Sequence, residues 1–216
     1  MPLDYQELYL EFRDYLLKQC MASTKELTQA IKSFFILKYN ISHKVMCSHA
    51  ESSEYLTDLL ILNFRPKEVI SRYTLEVLPP AINALMAVES ELGGSSASSA
   101  YGVMKNVAED FIKLLLIQCE HRVMIFTSLP YTGEINHIEK RAKILQTLYQ
   151  RTPGLSSGVL LIHIEGRQVN STQVQAIISE NTFTGFLIAK DGRSITRIVN
   201  PNTQPNRNPI QSNSGA

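Results

Sequence analysis

The chain has 216 residues, a formal net charge of +1 and 44% hydrophobic residues, which suits one α/β domain with tails and gives no sign of nucleic acid or an anionic membrane as a main partner. No apolar run reaches the roughly 18 residues that span a bilayer. The three cysteines, Cys20, Cys47 and Cys119, are odd in number and far apart, which fits free thiols in a reducing compartment better than a disulfide framework. Met1-Pro2-Leu3-Asp4 opens no basic region followed by an apolar one, so no secretory signal is read. The expected location is nuclear or cytosolic.

Along the chain, Tyr5, Leu8, Tyr9, Phe12, Tyr15, Leu16 and Cys20 recur at helical spacing and predict a helix over 5–20. Leu8, Leu10 and Phe12 also alternate, which leaves a strand from Glu7 to Asp14 as the competing possibility. Ser23 with Glu26 three residues on reads as a capping box for a helix through Leu27, Ile31, Phe34 and Phe35. Ile41 to Ala50 predicts a strand with Val45 and Cys47 on one side and Met46 on the other. Glu51 to Asp58 is polar, and Leu59 to Phe64 is a short apolar run. Val69 to Leu78 reads as a helix turn or a poor strand. Pro79-Pro80 suits the first turn of a helix carried on by Ala81, Ile82, Leu85, Met86 and Val88 to about Leu92.

The central stretch is the most legible. The turn Gly93-Gly94-Ser95-Ser96-Ala97-Ser98-Ser99 precedes a helix through Val103, Val107, Phe111 and Leu114 to Leu116. A bare apolar run, Arg122 to Thr127, predicts a strand covered on both faces. It stops at Ser128-Leu129-Pro130-Tyr131-Thr132-Gly133, a loop by its Pro and Gly, and a helix follows from about Glu134 to Leu148. In open α/β sheets, function collects at the loop after a strand's carboxyl end. Gly158 to Ile164 is the strongest strand. Thr172 to Ser179 predicts a short helix, Phe183 to Ala189 a strand, and Asp191-Gly192 a turn leading Ser194 to Val199 back as a hairpin. Residues 1–199 form the expected domain, and the Asn, Pro and Ser of 200–216 a disordered tail.

Few residues carry chemistry on spacing alone. Cys47-Ser48-His49 and Cys119-Glu120-His121 could each chelate zinc, but zinc modules draw ligand pairs from a tight knuckle, so buried thiols are the plainer expectation. A P-loop needs a Gly-Lys pair, which is absent. No Gly-x-Ser-x-Gly elbow is present. The simplest hydrolase would use Ser128 with a histidine brought near by the fold, although His163 in its apolar strand reads first as a core residue.

Together, the Gly93-Gly94-Ser95 turn before a helix, the strand ending at Ser128, the strand at Gly158 to Ile164 and the segment Lys44 to Ser53 resemble a von Willebrand factor type A-like domain. The resemblance spans about residues 7 to 190. It implies a three-layer α/β sandwich, with a mostly parallel central sheet and helices on both faces. The family binds metal through an Asp-x-Ser-x-Ser loop, a turn with Thr or Ser, and an Asp after the fourth strand. Carried onto this chain, the rim of that site is Asp14, Gly93, Gly94, Ser95, Ser128 and Tyr131. Only Asp14 is anionic, so the resemblance implies a degenerate site with no bound metal or other cofactor. It further implies a non-enzymatic scaffold in an intracellular complex of transcription, DNA repair or ubiquitin-linked function, with protein subunits as partners.

Overall fold

The computed structural model describes residues 3–47, 57–65, 83–93, 99–171 and 173–199. Two helices come first, α1 (Tyr5–Leu17) and α2 (Thr24–Tyr39). Helical spacing therefore prevails over alternation in the opening segment. Asp4 caps α1 by accepting from the Gln6 and Glu7 N–H groups. Ser23 caps α2 by accepting from Glu26 N, while the Glu26 carboxylate takes the N–H of Ala22.

The sheet is mixed. β1 (Lys44–Cys47), β2 (Leu59–Leu62) and β3 (Ala84–Glu91) pair antiparallel. β4 (Cys119–Ser128) and β5 (Val159–Asn170) then join β3 in parallel. β7 (Phe183–Ile188) and β8 (Ile195–Ile198) complete the order β1-β2-β3-β4-β5-β7-β8 with antiparallel pairings. β6 (Gln173–Ala176) pairs with the far end of β5. Parallel pairing is thus confined to the centre, where α3 (Ala100–Leu116) and α4 (His137–Gln150) make the crossovers that parallel neighbours require. The expected mostly parallel sheet holds only for β3, β4 and β5.

Two apolar clusters lie on opposite faces. Val123, Ile125, Leu160 and Ile162 pack with Leu8, Phe12, Ile31 and Phe35 of α1 and α2. Met124, Phe126 and Leu161 pack with Val107, Phe111, Ala142 and Leu145 of α3 and α4. Alternate residues of one strand serve opposite layers, which is why β4 and β5 read as unbroken apolar runs.

Two expectations fail. The helix expected up to Leu92 is strand β3 over its described part. Ala84, Leu85, Met86 and Ala87 are good helix formers, but burial between two neighbouring strands and two helical layers decides the matter. The helix expected at Thr172 to Ser179 is β6 over 173–176, whose Val174 and Ala176 are buried while Gln173 and Gln175 are less so; that is a period of two. The segments 66–82 and 200–216, with the expectations for Val69 to Leu78, Pro79-Pro80 and the tail, lie outside the described residues. Among the described residues no helix is long and apolar enough to cross a membrane.

Candidate functional site

The carboxyl end of β3 carries two acids, Glu89 and Glu91, after an apolar run from Ala84 to Val88. Ala87 belongs to the α3 and α4 layer and Val88 to the other, so alternation turns Glu89 and Glu91 toward α3. Glu89 is 4% exposed and has no ion pair among the described residues, which is rare for a buried carboxylate. The register Leu59↔Val88 sets Asp58 beside Glu89. The Asp58 carboxylate accepts from Ser90 N at 2.9 Å and Ser90 Oγ at 2.6 Å. Glu91 accepts from Gly93 N at 3.0 Å. Across from them, α3 offers Lys113, ion-paired with Asp110.

Electrostatics follow from this crowding. Desolvation, then the charges of Asp58 and Asp110, push Glu89 up to about 8, with Lys113 opposing only in part. Desolvation pushes Glu91 up to about 7 against the Gly93 hydrogen bond. The hydrogen bond to Asp110 pushes Lys113 up, with Glu89 and Asp58 adding to it. Three carboxyl groups therefore share one end of β3, with Lys113 as their only partly opposing cation among the described residues, and shifts of this kind gather at functional sites. Among the described residues no group of three or more His, Cys, Asp or Glu side chains is placed to hold a metal ion. A divalent cation here would rest on one or two carboxylates, with water and substrate oxygens completing its shell, as magnesium commonly does.

Gly93 fixes the turn that follows. Its φ of +78° is left-handed, and a Cβ there would stand 3.0 Å from the Val174 carbonyl oxygen. Only glycine lets the chain pass β6 so closely while its N–H holds Glu91.

The neighbouring end of β4 is sealed instead. Ser128 Oγ and His163 Nε2 are 2.9 Å apart, so the fold does bring a histidine to Ser128. Both are buried. Burial, then the charges of His137 and Arg141, pulls His163 down to about 3. Its Nδ1 has no hydrogen-bond partner, whereas a working triad sets a carboxylate there. A base this weak beside an enclosed hydroxyl does not make a nucleophile.

Of the rim residues read from the sequence, Gly93, Ser128 and Tyr131 lie at the carboxyl ends of β3 and β4. Asp14 does not join them: it stands on α1, on the opposite face, bound by Arg13 Nε at 3.0 Å and Nη2 at 2.6 Å. Gly94 and Ser95 lie outside the described residues. The zinc pairs do not converge either. Cys47 packs in the α1 and α2 layer and Cys119 in the other, His121 contacts Tyr5, and His49 lies outside the described residues. Sequence reasoning missed Asp58, Glu89, Glu91 and Lys113. The signal available was two acids at a spacing of two closing an apolar run, which a helical assignment hides.

No family model, no curated protein and no solved structure matches this chain.

Proposed function

We propose that the chain is a divalent-cation-assisted phosphodiester hydrolase whose site is the carboxyl end of β3. The observation that carries this is buried Glu89, held protonated up to about pH 8 beside Asp58: a bound cation takes the place of that proton and stabilises the charged carboxylate. Glu89 and Asp58 would hold the cation, which would supply Lewis acidity toward a phosphoryl oxygen and a water. Glu91, raised to about 7, is matched to accept a proton from an attacking water near neutral pH. Lys113 faces the acids from α3 and offers positive charge to a phosphate as a compact ammonium. The near-zero net charge is a sum over faces. Locally, α3 and α4 bring Lys105, Lys113, Lys140 and Lys143 to the same side of the sheet, the first three ion-paired with Glu109, Asp110 and Glu134.

The test is cleavage of supercoiled plasmid DNA and of labelled single-stranded DNA and RNA by the full chain, with magnesium or manganese and with chelator. Metal-dependent cleavage that Glu89→Gln and Asp58→Asn each abolish is the expected result. Absence of cleavage on every substrate, or cleavage unchanged in Glu89→Gln, sinks the proposal.

A second function, the non-enzymatic scaffold implied by the von Willebrand A-like resemblance, is favoured by a different observation. Leu37, 67% exposed, edges a groove of about 510 Å³ between α1 and α2 with Tyr15 and Phe34. That function predicts a stable complex with another protein, lost in Leu37→Asp and intact in Glu89→Gln. Co-purification of the two variants from the same cells reads it, and equal recovery with both counts against it.

A further inference from the structure

The loop after β4 is built more rigidly than its exposure requires. Arg141, buried in α4, donates to Glu134 Oε2 at 2.6 Å and Oε1 at 3.1 Å, and to the Leu129 carbonyl at 3.3 Å. Glu134 is held down to about 2, first by this bond. The same Glu134 carboxylate accepts from Tyr131 N at 2.9 Å, and Glu134 N donates to the Tyr131 carbonyl. Asn136, which opens α4, takes φ 54°, left-handed for a residue with a side chain. A buried cation, a bidentate ion pair and a strained corner thus hold one short loop in one shape.

That shape presents two apolar side chains to solvent, Tyr131 at 44% and Ile135 at 75% exposure. The Arg141 guanidinium lies 4.7 Å from the centre of the Tyr131 ring. One face of the ring rests on a cation, which fixes its orientation, and solvent reaches the ring elsewhere. The loop stands at the carboxyl end of β4, whose neighbour in the register Glu91↔Phe126 is the acid-bearing end of β3. Lys140, ion-paired with Glu134 at 3.6 Å, and Lys143 follow on the exposed side of α4.

We propose that Tyr131 is a stacking platform for an unpaired base of single-stranded nucleic acid, delivering the strand to the carboxylates of β3. It rests on the hydrolase proposed above and names its substrate class. A pre-oriented aromatic ring, followed by a helix with Lys143 exposed, supplies the two components of single-strand binding, stacking and backbone attraction. A duplex keeps its base faces covered and gives the ring nothing to stack on.

The experiment uses the full chain in chelator, so that no cleavage intervenes. A fluorescein-labelled oligo-dT reports affinity by anisotropy, and an oligonucleotide containing 2-aminopurine reports stacking by fluorescence quenching. Tyr131→Phe keeps affinity and quenching. Tyr131→Ala loses the quenching and weakens binding on the order of tenfold, the worth of one stacked base. Tyr131→Leu, which still covers the Arg141 guanidinium, behaves like Tyr131→Ala, which separates stacking from loop support. Unchanged binding in Tyr131→Ala, or equal affinity for duplex, overturns the platform. So does binding of a protein at Tyr131 in place of the oligonucleotide. The two proposals fail separately: Tyr131-dependent binding without metal-dependent cleavage defeats the hydrolase, and cleavage without Tyr131-dependent binding defeats the platform.

Discussion

The ends of β3 and β4 are neighbours in one parallel pair, yet they treat polar groups in opposite ways. At β3, Glu89 and Glu91 are raised by burial and by the charges of Asp58 and Asp110, and each is anchored through a backbone N–H group. At β4 and β5, Ser128 and His163 satisfy one another inside the apolar layer, and His163 is pulled down. The first region holds carboxyls that burial keeps protonated toward neutral pH, and a cation would displace those protons. The second is already neutral, and its Ser-His contact is packing with a hydrogen bond. A short distance between two reactive side chain types is therefore weaker evidence of chemistry than a cluster of carboxyls whose titration its surroundings move toward neutral pH.

The largest expected effect breaks the comparison most directly. Glu89→Gln removes a proposed cation ligand and lowers metal-dependent cleavage by about 100-fold or more, the scale of losing one major electrostatic contact. Ser128→Ala leaves cleavage within about twofold, because no role in the chemistry is assigned to it. Rates on the same plasmid decide it, and a reversed ranking would move the site to β4.

Gly93→Ala comes next. The new methyl meets the Val174 carbonyl and needs a left-handed φ, so the turn shifts and Glu91 loses its donor. Cleavage falls by about tenfold, while thermal unfolding registers a loss of about 1–3 kcal/mol from the strained backbone. Proportionate losses in Gly93→Ala and in an equally strained glycine far from β3 would show that the turn is merely structural.

Stability against pH separates the regions by sign. Glu89 and Glu91 bind protons more tightly folded than unfolded, so their contribution is full below about 4.5 and is lost as pH rises through about 7 and 8. His163 binds its proton less tightly when folded; its contribution is full above about 6.5 and is lost as pH falls toward about 3. Glu89→Gln thus flattens the alkaline side of a plot of Tm against pH, and His163→Leu flattens the acid side. Each change is a few degrees. Saturating magnesium raises wild-type Tm on the alkaline side and does little for Glu89→Gln.

What the sequence made legible depended on whether local and global preferences agreed. β4 and β5 were readable because β-branched and apolar residues coincide with burial on both faces, and α2 because its capping box is local chemistry. β3 was misread because Ala84 to Ala87 prefer helix in isolation and only their neighbours make them strand. That single error also hid the site, since Glu89 and Glu91 diverge by roughly 200° on a helix but share a side on a strand. The loop at Ser128 to Gly133 was found by the general rule for strand ends. Its content was not: burial closed Ser128 in, and Arg141 turned Tyr131 out, through contacts that no spacing in the chain announces.

The smallest effect tests whether the Ser128 and His163 pair is only packing. Ser128→Ala leaves His163 Nε2 buried with no partner, which costs about 1–3 kcal/mol. His163→Leu strands the Ser128 hydroxyl and carries a cost of the same order. The double variant removes both polar groups and fills the space with carbon, so it is expected to lie above the sum of the single losses, with a coupling of at least about 1 kcal/mol. Denaturant unfolding of the four proteins at neutral pH gives that number. Additive losses would mean that the two side chains are satisfied independently. The sealed region would then hold a third partner, such as a buried water at His163 Nδ1 and His137 Nε2, both of which lack a hydrogen bond, and the contrast with β3 would narrow to one of access.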